Sequence, residues 1–183
     1  EDGAALRGES RVRHVCPQCG KVYSGWPYDQ VYVTQRHGHW LQGVRVLGLA
    51  YMFAPQSAYA ERIRAILLEY ASFYGSLPLH DIHNKPDNGG RLLSQTLDES
   101  VLLCQVVLGY DLVYEDACFS GADHDLIREG FLLSAVKTIQ ANPRAISNWQ
   151  SWHNAAVGCT GFLLGSPALA AWAINGEFGF LYQ

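Results

Sequence analysis

Residues that could carry out acid–base or binding chemistry cluster in one short segment. Residues 147–158 read SNWQSWHNAAVG and hold two tryptophans, two asparagines, one glutamine and one histidine, with no formal charge. Histidine titrates near neutral pH and can act as a base, and an amide can donate or accept hydrogen bonds without forming an ion pair. A structural interpretation is also open, in which Asn148 caps a helix and His153 is a hydrogen-bonded group of the core.

The spacing of Asn148 and His153 decides whether they can share a surface. Five helical steps of about 100° separate two side chains by about 140° around the axis. The pair can therefore line one cleft only if Asn148 precedes the helix, and the loop of residues 143–147 allows this. The apolar pattern predicts that the helix itself spans residues 149–164.

Two further segments place polar side chains where helices are predicted to begin. The segment TQRHGHW contains Arg36, whose guanidinium either holds a carboxylate through two hydrogen bonds or lies on a solvated helix face. The segment NGGRLLSQTLDES places Arg91, Gln95 and Glu99 at four-residue steps, which would align them on one helix face. Polar groups at such a place either cap the helix or line a site, so Arg91 and Gln95 are candidate binding residues.

The five cysteines are odd in number and mostly far apart, which argues against a disulfide framework. Cys16 and Cys19 form a CxxC pair in HVCPQCGK, which is half of a structural zinc site with four ligands. His14 is one further candidate ligand, and His80 and His83 are others, although their spacing is not that of a zinc finger. A disulfide within the CxxC turn and a pair of free thiols are the alternatives. Three cysteines in apolar surroundings are expected to be buried free thiols: Cys104, Cys118 and Cys159.

The bulk composition indicates a globular domain. The chain has 183 residues, of which 49% are hydrophobic and 16% charged, which is enough to form a sizeable core. A formal net charge of -4 gives no electrostatic footprint for nucleic acid. No apolar run approaches the ~20 residues of a membrane span, and no signal peptide is visible. The segments EDGAALRGES and GEFGFLYQ at the two ends suggest a piece of a longer chain.

Apolar residues recur at three- and four-residue steps along most of the chain, which predicts helices. Strand signals are nearly absent, and residues 1–13 are polar and predicted to be mobile. The predicted fold is therefore all-α, an array of antiparallel helix pairs that form either an α-solenoid or an α/α toroid. The predicted helices span 30–53, 58–74, 94–114, 120–140 and 149–164, a sixth begins at Pro167, and the longest loop spans 75–92.

Several segments together resemble the catalytic helical domain of heparinase II/III-like polysaccharide lyases, a group that includes oligoalginate lyases. The resemblance implies an incomplete (α/α) toroid over residues 30–183, after an N-terminal segment of residues 1–29 with the CxxC knuckle. In the family a β-sandwich domain normally follows, and this sequence does not contain one. The resemblance also implies β-elimination on an acidic polysaccharide or oligosaccharide, alginate-like or heparin-like, without a catalytic cofactor. The segments are CPQCGKVYSG, QRHGHWLQGVRVLGLAYMF, YAERIRAILLEYASFY, GGRLLSQTLDES, SNWQSWHNAAVG and LAAWAINGEFGFLYQ.

The resemblance also assigns roles to residues. β-Elimination needs a neutralised uronate carboxylate, a base for the C5 proton and an acid for the leaving oxygen. By resemblance, Asn148 neutralises the carboxylate, His153 is the catalytic histidine and Arg36 borders the cleft. Some family members place the histidine directly after the asparagine, where this chain has Trp149. Aromatic faces suit sugar rings and amides suit their hydroxyls, which adds Trp149, Trp152, Gln150 and Asn154.

The sequence also bears on the identity of the general acid and on two alternative functions. In the family the acid is a tyrosine downstream of NGEFGFLYQ, so this chain alone is expected to be inactive unless Tyr32 or Tyr110 replaces it. A glycoside hydrolase on a similar toroid would need two carboxylates that flank the bond. A non-enzymatic helical binding module predicts that the candidate site residues do not cluster. The carboxylates available to a hydrolase are Asp98, Glu99, Asp111 and Glu115.

Overall fold

A computed structural model describes residues 5–87 and 89–183, which form a small antiparallel sheet followed by helices. The chain divides into two compact units, one up to His39 and one from Trp40 onwards, and the division falls inside the first helix. None of the helices in the described ranges combines the length and apolar character needed to cross a membrane. The strands are β1 (Arg7–Ser10), β2 (Arg13–Val15) and β3 (Val22–Tyr23). The helices are α1 (Tyr28–Phe53), α2 (Ser57–Phe73), α3 (Thr96–Asp111), α4 (Gly121–Ile127), a π-helical segment (Arg128–Leu132), α5 (Leu133–Gln140), α6 (Asn148–Leu163) and α7 (Pro167–Asn175).

The N-terminal unit contains the three-stranded sheet, in the order β1-β2-β3. His14 of β2 pairs with Gly8 of β1, and its side chain is buried. His14 Nε2 lies 2.9 Å from Asp29 Oδ1 in the first turn of α1. A Cβ atom at position 8 would overlap the ring of Tyr32, so glycine is needed for this close approach.

The sheet is the part of the fold that the sequence pattern did not predict. Each strand has only two to four residues, and all four residues of β1 are exposed. Alternation between apolar and polar residues cannot show over such short lengths. The predicted mobility of residues 1–13 is wrong for Arg7–Ser10, which form β1, whereas residues 1–4 lie outside the described part of the chain.

The second unit is mostly helical, as predicted, and α3 lies at its centre. Residues 101–110 of α3 are apolar apart from Gln105, and the helix packs on α5 and α6. Helix α6 also packs on α7, and α2 packs on α4 and on the π-helical segment. Burial of each large aliphatic side chain contributes about 1.5–3 kcal/mol, so this shared core is the main source of stability. Its fully enclosed members include Val44, Ile63, Leu67, Val106, Ile127, Leu132, Ile139 and Val157.

Glycines set how closely the helices of the second unit approach. A Cβ atom at Gly109 of α3 would lie 2.4 Å from the Val44 carbonyl oxygen of α1. On α6, a Cβ atom at Gly161 would lie 2.8 Å from the backbone nitrogen of Ala170 on α7. Both separations are too short for a carbon atom, so these helix pairs require glycine at the contact.

The predicted helix over residues 120–140 is confirmed as one continuous helical stretch. Ser120 caps its start, where the Ser120 hydroxyl accepts a hydrogen bond from the Asp123 N–H at 3.2 Å. The Asp123 carboxylate accepts one in return from the Ser120 N–H at 2.8 Å. The π-helical turn in its middle, Arg128–Leu132, contains no proline and has no signal in the sequence.

The start of α3 differs from the prediction. The helix begins at Thr96 with Gln95 at the cap position, so Arg91 lies outside it and the predicted stripe on one helix face is wrong. The physical reason is the buried carboxylate of Glu99, which accepts hydrogen bonds from the backbone N–H groups of Arg91 and the two residues after it. The Tyr74 hydroxyl donates a further bond to Glu99 at 2.8 Å. These bonds hold the preceding backbone in a turn around the carboxylate instead of a helix.

Candidate functional site

The candidate segment forms the start of α6 and the loop before it. The Ser147 hydroxyl caps the helix by accepting a hydrogen bond from the Gln150 N–H at 3.3 Å. Asn148 is the first helical residue and is exposed. The helix therefore begins one residue earlier than predicted, and Asn148 does not precede it. Ideal helical geometry then separates the directions of Asn148 and His153 by about 140°.

Two buried amides hold the loop and α6 together. The Arg144 N–H donates to Gln150 Oε1 at 2.8 Å, and Gln150 Nε2 donates to Asn154 Oδ1 at 2.8 Å. Asn154 Nδ2 in turn donates to the Phe178 carbonyl at 2.7 Å. Gln150 and Asn154 have no exposed surface, so this hydrogen-bonded chain fixes the segments on both sides of α6. The sequence predicts that both side chains contact sugar hydroxyls. Because the surrounding segments enclose them, such a contact would require those segments to move.

His153 is the most unusual side chain of the segment. It has no exposed surface, and within the described residues neither ring nitrogen has a hydrogen-bond partner. Burial, and to a smaller extent the nearby positive charge of Arg144, lower the pKa of His153 to about 4. The imidazole is therefore neutral at pH 7, the form that accepts a proton. Buried polar groups are normally satisfied, so two orphaned nitrogens at one ring mark a functional or strained position.

Arg144 is a second unsatisfied group at the same place. Its Nε and Nη2 atoms are buried and have no hydrogen-bond partner among the described residues. The guanidinium carbon lies 4.8 Å from the ring centre of Trp149, which is a favourable cation–π distance. A cation with unused donors beside a neutral histidine is suited to bind a carboxylate.

A cavity of about 170 Å³ adjoins the buried amides. Gln150 contributes an amide to its wall, and Glu177 contributes the one carboxylate among the lining residues. Its volume would hold a few water molecules or part of a sugar ring. The other lining residues are Gln140, Pro143, Trp172, Gly176 and Phe178.

The remaining candidates of the second unit lie in different environments. Trp152 is 41% exposed on α6, which leaves one of its faces open to a ligand. Arg91 is engaged, because its guanidinium donates to the carbonyl oxygens of Gly75 and Leu77 and to the Thr138 hydroxyl. Gln95 is partly buried at the cap position of α3. A binding role for these residues stays a prediction.

Three predicted site residues belong to the N-terminal unit. Arg36 is exposed on α1. Cys16 and Cys19 flank a turn that the Gly20 N–H closes on the Cys16 carbonyl at 2.9 Å. Hydrogen bonds from the Cys19 and Gln18 backbone lower the pKa of the Cys16 thiol. Across residues 5–87 and 89–183, no three His, Cys, Asp or Glu side chains form a group that could hold a metal ion, so the turn supplies two of the four ligands of a structural zinc site and zinc stays a prediction.

Comparison with known proteins defines the family. The sequence model of a family described as alginate lyase matches residues 15–181, which is most of the chain. The chain belongs to the alginate lyase family. This agrees with the part of the resemblance that pointed to oligoalginate lyases.

Two curated members of the alginate lyase family show how this chain relates to them. It is 29% identical over 161 residues to an exo-oligoalginate lyase of Saccharophagus degradans, covering 83% of this chain and 22% of that protein. It is 28% identical over 157 residues to an alginate lyase of Stenotrophomonas maltophilia, covering 81% of this chain and 21% of that protein. The chain thus spans about a fifth of the length of the curated relatives it matches.

The sequence pattern did not identify Arg144, and the exposure of one cysteine was predicted wrongly. Arg144 follows Pro143 in a loop, and its isolated positive charge just before the polar segment was the available signal. Cys159 is exposed, so the expectation that it is buried is wrong, because it lines an open cavity between α3 and α6. Cys104 and Cys118 are partly buried, and all five cysteines are free thiols.

Proposed function

We propose that the gene product containing this chain is a polysaccharide lyase that cleaves alginate, or oligosaccharides derived from it, by β-elimination. The observation that carries this proposal is the family match over residues 15–181. The names of both curated relatives, which are alginate lyases, support the same substrate class. We also propose that the helices form part of an α/α toroid, in line with the packing of α6 on both α3 and α7.

The start of α6 is the proposed place where the uronate carboxylate binds. Asn148 is exposed and can donate its amide hydrogens to a carboxylate without an ion pair. Arg144 retains two buried nitrogen donors without partners in the described residues. Together they would withdraw charge from the carboxylate and so make the neighbouring C5 proton more acidic.

His153 is the proposed base, and its basicity depends on the charge beside it. Burial and the charge of Arg144 both depress its pKa, to about 4. A substrate carboxylate that pairs with Arg144 would cancel that charge and raise the pKa of His153 towards its usual value. Because Asn148 lies inside α6 and His153 has no exposed surface, joint action on one uronate requires the first turn of α6 to unwind when substrate binds, which would free Asn148 from the helix and expose His153.

Aromatic and cationic side chains are the proposed contacts to the rest of the sugar chain. Trp152 exposes enough of its indole ring to stack on a pyranose face. Trp149 is partly buried under the Arg144 guanidinium, so it would position the arginine as well as contact sugar. Arg36, Arg91 and Gln95 are kept as proposed substrate contacts from the sequence.

The test is an elimination assay on the whole gene product that contains these residues. β-Elimination creates an unsaturated uronate, which absorbs in the ultraviolet, so absorbance is followed with alginate oligosaccharides and, separately, with heparan sulfate oligosaccharides. We expect a rise with alginate only, and a loss of about 10²-fold or more in kcat/KM for Asn148→Ala.

Asn175→Ala is the matched control, because Asn175 is also an exposed asparagine on a helix of the same unit. It should leave the rate unchanged, and both variants should unfold at the wild-type temperature. Absence of product from alginate in a folded protein would contradict the proposed function. An equal loss in both asparagine variants would contradict the proposed site.

A further inference from the structure

Two thiols meet in the contact between α3 and α6, away from the candidate residues at the start of α6. Cys104 lies in the middle of α3 and is partly buried, whereas Cys159 lies on α6 and is exposed. Both are free, and both line one cavity, where the Cys104 thiol acts on the pKa of Cys159 as a hydrogen-bond donor. The two thiols are therefore neighbours although they lie 55 positions apart in the sequence.

The surroundings leave this pair accessible to a small molecule. The thiols line a cavity of about 260 Å³ that is mostly apolar, with Asp111 as the charged group in its wall. The four apolar or aromatic residues of the wall would tolerate an uncharged reagent and disfavour a strongly hydrated anion. The apolar lining residues are Val107, Leu108, Phe162 and Leu163 together with the sulfur atoms.

The hydrogen bond gives the two thiols different chemical characters. Cys104 donates to the Cys159 sulfur, which lowers the pKa of Cys159 to about 6. The same bond, together with burial, raises the pKa of Cys104. Cys159 is thus the thiolate at neutral pH, and the thiolate is the form that attacks an oxidant. Cys118 differs, because burial and the nearby Asp116 raise its pKa to about 11.

We propose that Cys159 and Cys104 form a peroxide-reactive modification site, which goes beyond the proposed lyase function. The Cys159 thiolate attacks one oxygen of hydrogen peroxide, the O–O bond breaks, and the leaving hydroxide takes up a proton to give water and a sulfenic acid. Cys104 then attacks that sulfur, an S–S bond forms, the S–O bond breaks, and the leaving hydroxide takes the Cys104 proton as a second water. The two thiols lose two electrons and one peroxide gains them.

Formation of this disulfide would join α3 to α6 covalently. These helices already pack against each other in the core of the second unit. The bond would close a loop that contains α4, α5 and the polar loop before α6, so it would restrict the motion of the proposed substrate-binding segment.

Tryptic mapping distinguishes the possible disulfides without altering the protein. Cleavage after lysine and arginine places Cys104 and Cys118 in peptide 92–128, Cys159 in peptide 145–183, and both Cys16 and Cys19 in peptide 14–21. After treatment with hydrogen peroxide and alkylation of remaining thiols, we expect a species that joins peptides 92–128 and 145–183. Oxidation confined to peptide 14–21, with Cys159 fully alkylated, would overturn the proposal.

Three variants assign the bond. Cys118→Ser should still form the linked species, since Cys118 is not part of the pair. Cys104→Ser should abolish the link and leave a sulfenic acid on Cys159 that a dimedone probe captures, and Cys104→Ala gives the same readout if the serine variant misfolds. Loss of the link in Cys118→Ser, or a Cys159 that reacts no faster than Cys118 in the wild type, would overturn the proposal.

Discussion

At the residue scale, the burial of His153 has a measurable effect on stability. In the unfolded chain a histidine has a pKa of about 6.5, whereas burial holds the pKa of His153 near 4 in the folded chain. The stabilisation of the folded state through His153 is therefore complete above pH about 6.5. It is lost as the pH falls towards about 4, because only the unfolded state gains the proton. Across that window we expect the free energy of unfolding to fall by about 3 kcal/mol through His153.

The measurement is urea unfolding of wild type and His153→Phe at several pH values in this window. The variant cannot titrate at this position, so the difference between the two proteins should shrink or reverse as the pH falls. His83→Gln serves as control, since His83 is exposed, and it should follow wild type. If His153→Phe does not fold, an NMR titration of the wild-type imidazole gives the same information. An imidazole that titrates near its usual pKa would contradict this account.

Residue type and spacing identified part of the candidate site but could not report its burial. The dense polar segment did point to Asn148 and His153, and the structure places them on one helix. The two residues differ in exposure, since Asn148 is exposed and His153 is buried. This difference depends on packing against other helices. Arg91 illustrates the same limit. Its bonds to two backbone carbonyls depend on a loop whose position, but not whose conformation, could be predicted from the sequence.

At the scale of elements, the crossing of α1 and α3 should be sensitive to a single methyl group. A Cβ atom at Gly109 would lie 2.4 Å from the carbonyl oxygen of Val44, so Gly109→Ala must push the helices apart. Such overpacking costs about 1–3 kcal/mol, which outweighs the gain of about 1 kcal/mol from the better helix propensity of alanine. Chemical denaturation should therefore show a net loss of stability for this variant.

The same substitution at Gly43 provides the matched control. Gly43 also lies inside a helix, α1, but a Cβ atom there would meet nothing within 4 Å. Gly43→Ala should raise the free energy of unfolding by up to about 1 kcal/mol. Equal effects of the two substitutions would show that propensity, rather than the close crossing, governs both positions.

Helices were predictable as elements because their apolar periodicity is long, whereas their ends and the strands were not. The run that became α1 spans 26 residues, which gives the helical period many repeats. The start of α3 depended on the buried Glu99 and its bonds to a turn, which is a tertiary effect. The strands are too short to show a period, and His14 orders them through a partner in α1.

At the scale of the whole molecule, amide hydrogen exchange should differ sharply along the chain. Amides in α3 and α6 lie in the most enclosed core, so they open only with the unfolding of that unit. The strands of residues 7–23 have short ladders and mostly exposed residues, so local opening suffices for exchange. We expect strand amides to exchange at least about 100-fold faster than those of α3, as measured by mass spectrometry. Equal protection would contradict independent opening of the strands.

The overall class of the molecule was clear from its sequence, and its larger architecture was not. The mostly helical character followed from periodicity, and the quoted segments pointed to a group that includes oligoalginate lyases, which agrees with the alginate lyase family. A toroid, by contrast, depends on how successive helix pairs turn around a common axis. The relative placement of helix pairs depends on contacts such as the one at Gly161, whose geometry no composition reveals.

The π-helical segment Arg128–Leu132 has a consequence for insertions and deletions. A π turn holds one more residue than an α turn, so it absorbs a single extra residue without breaking the helix. Removal of one residue from α4 or α5 instead would rotate the two against each other by about 100°, because a regular α turn cannot compensate for the missing residue. The capping box at Ser120 and the buried face of α5 could then not both keep their contacts, because each is fixed by its own packing partners. The number of residues in the helical stretch formed by α4 and α5 is therefore fixed to within one residue.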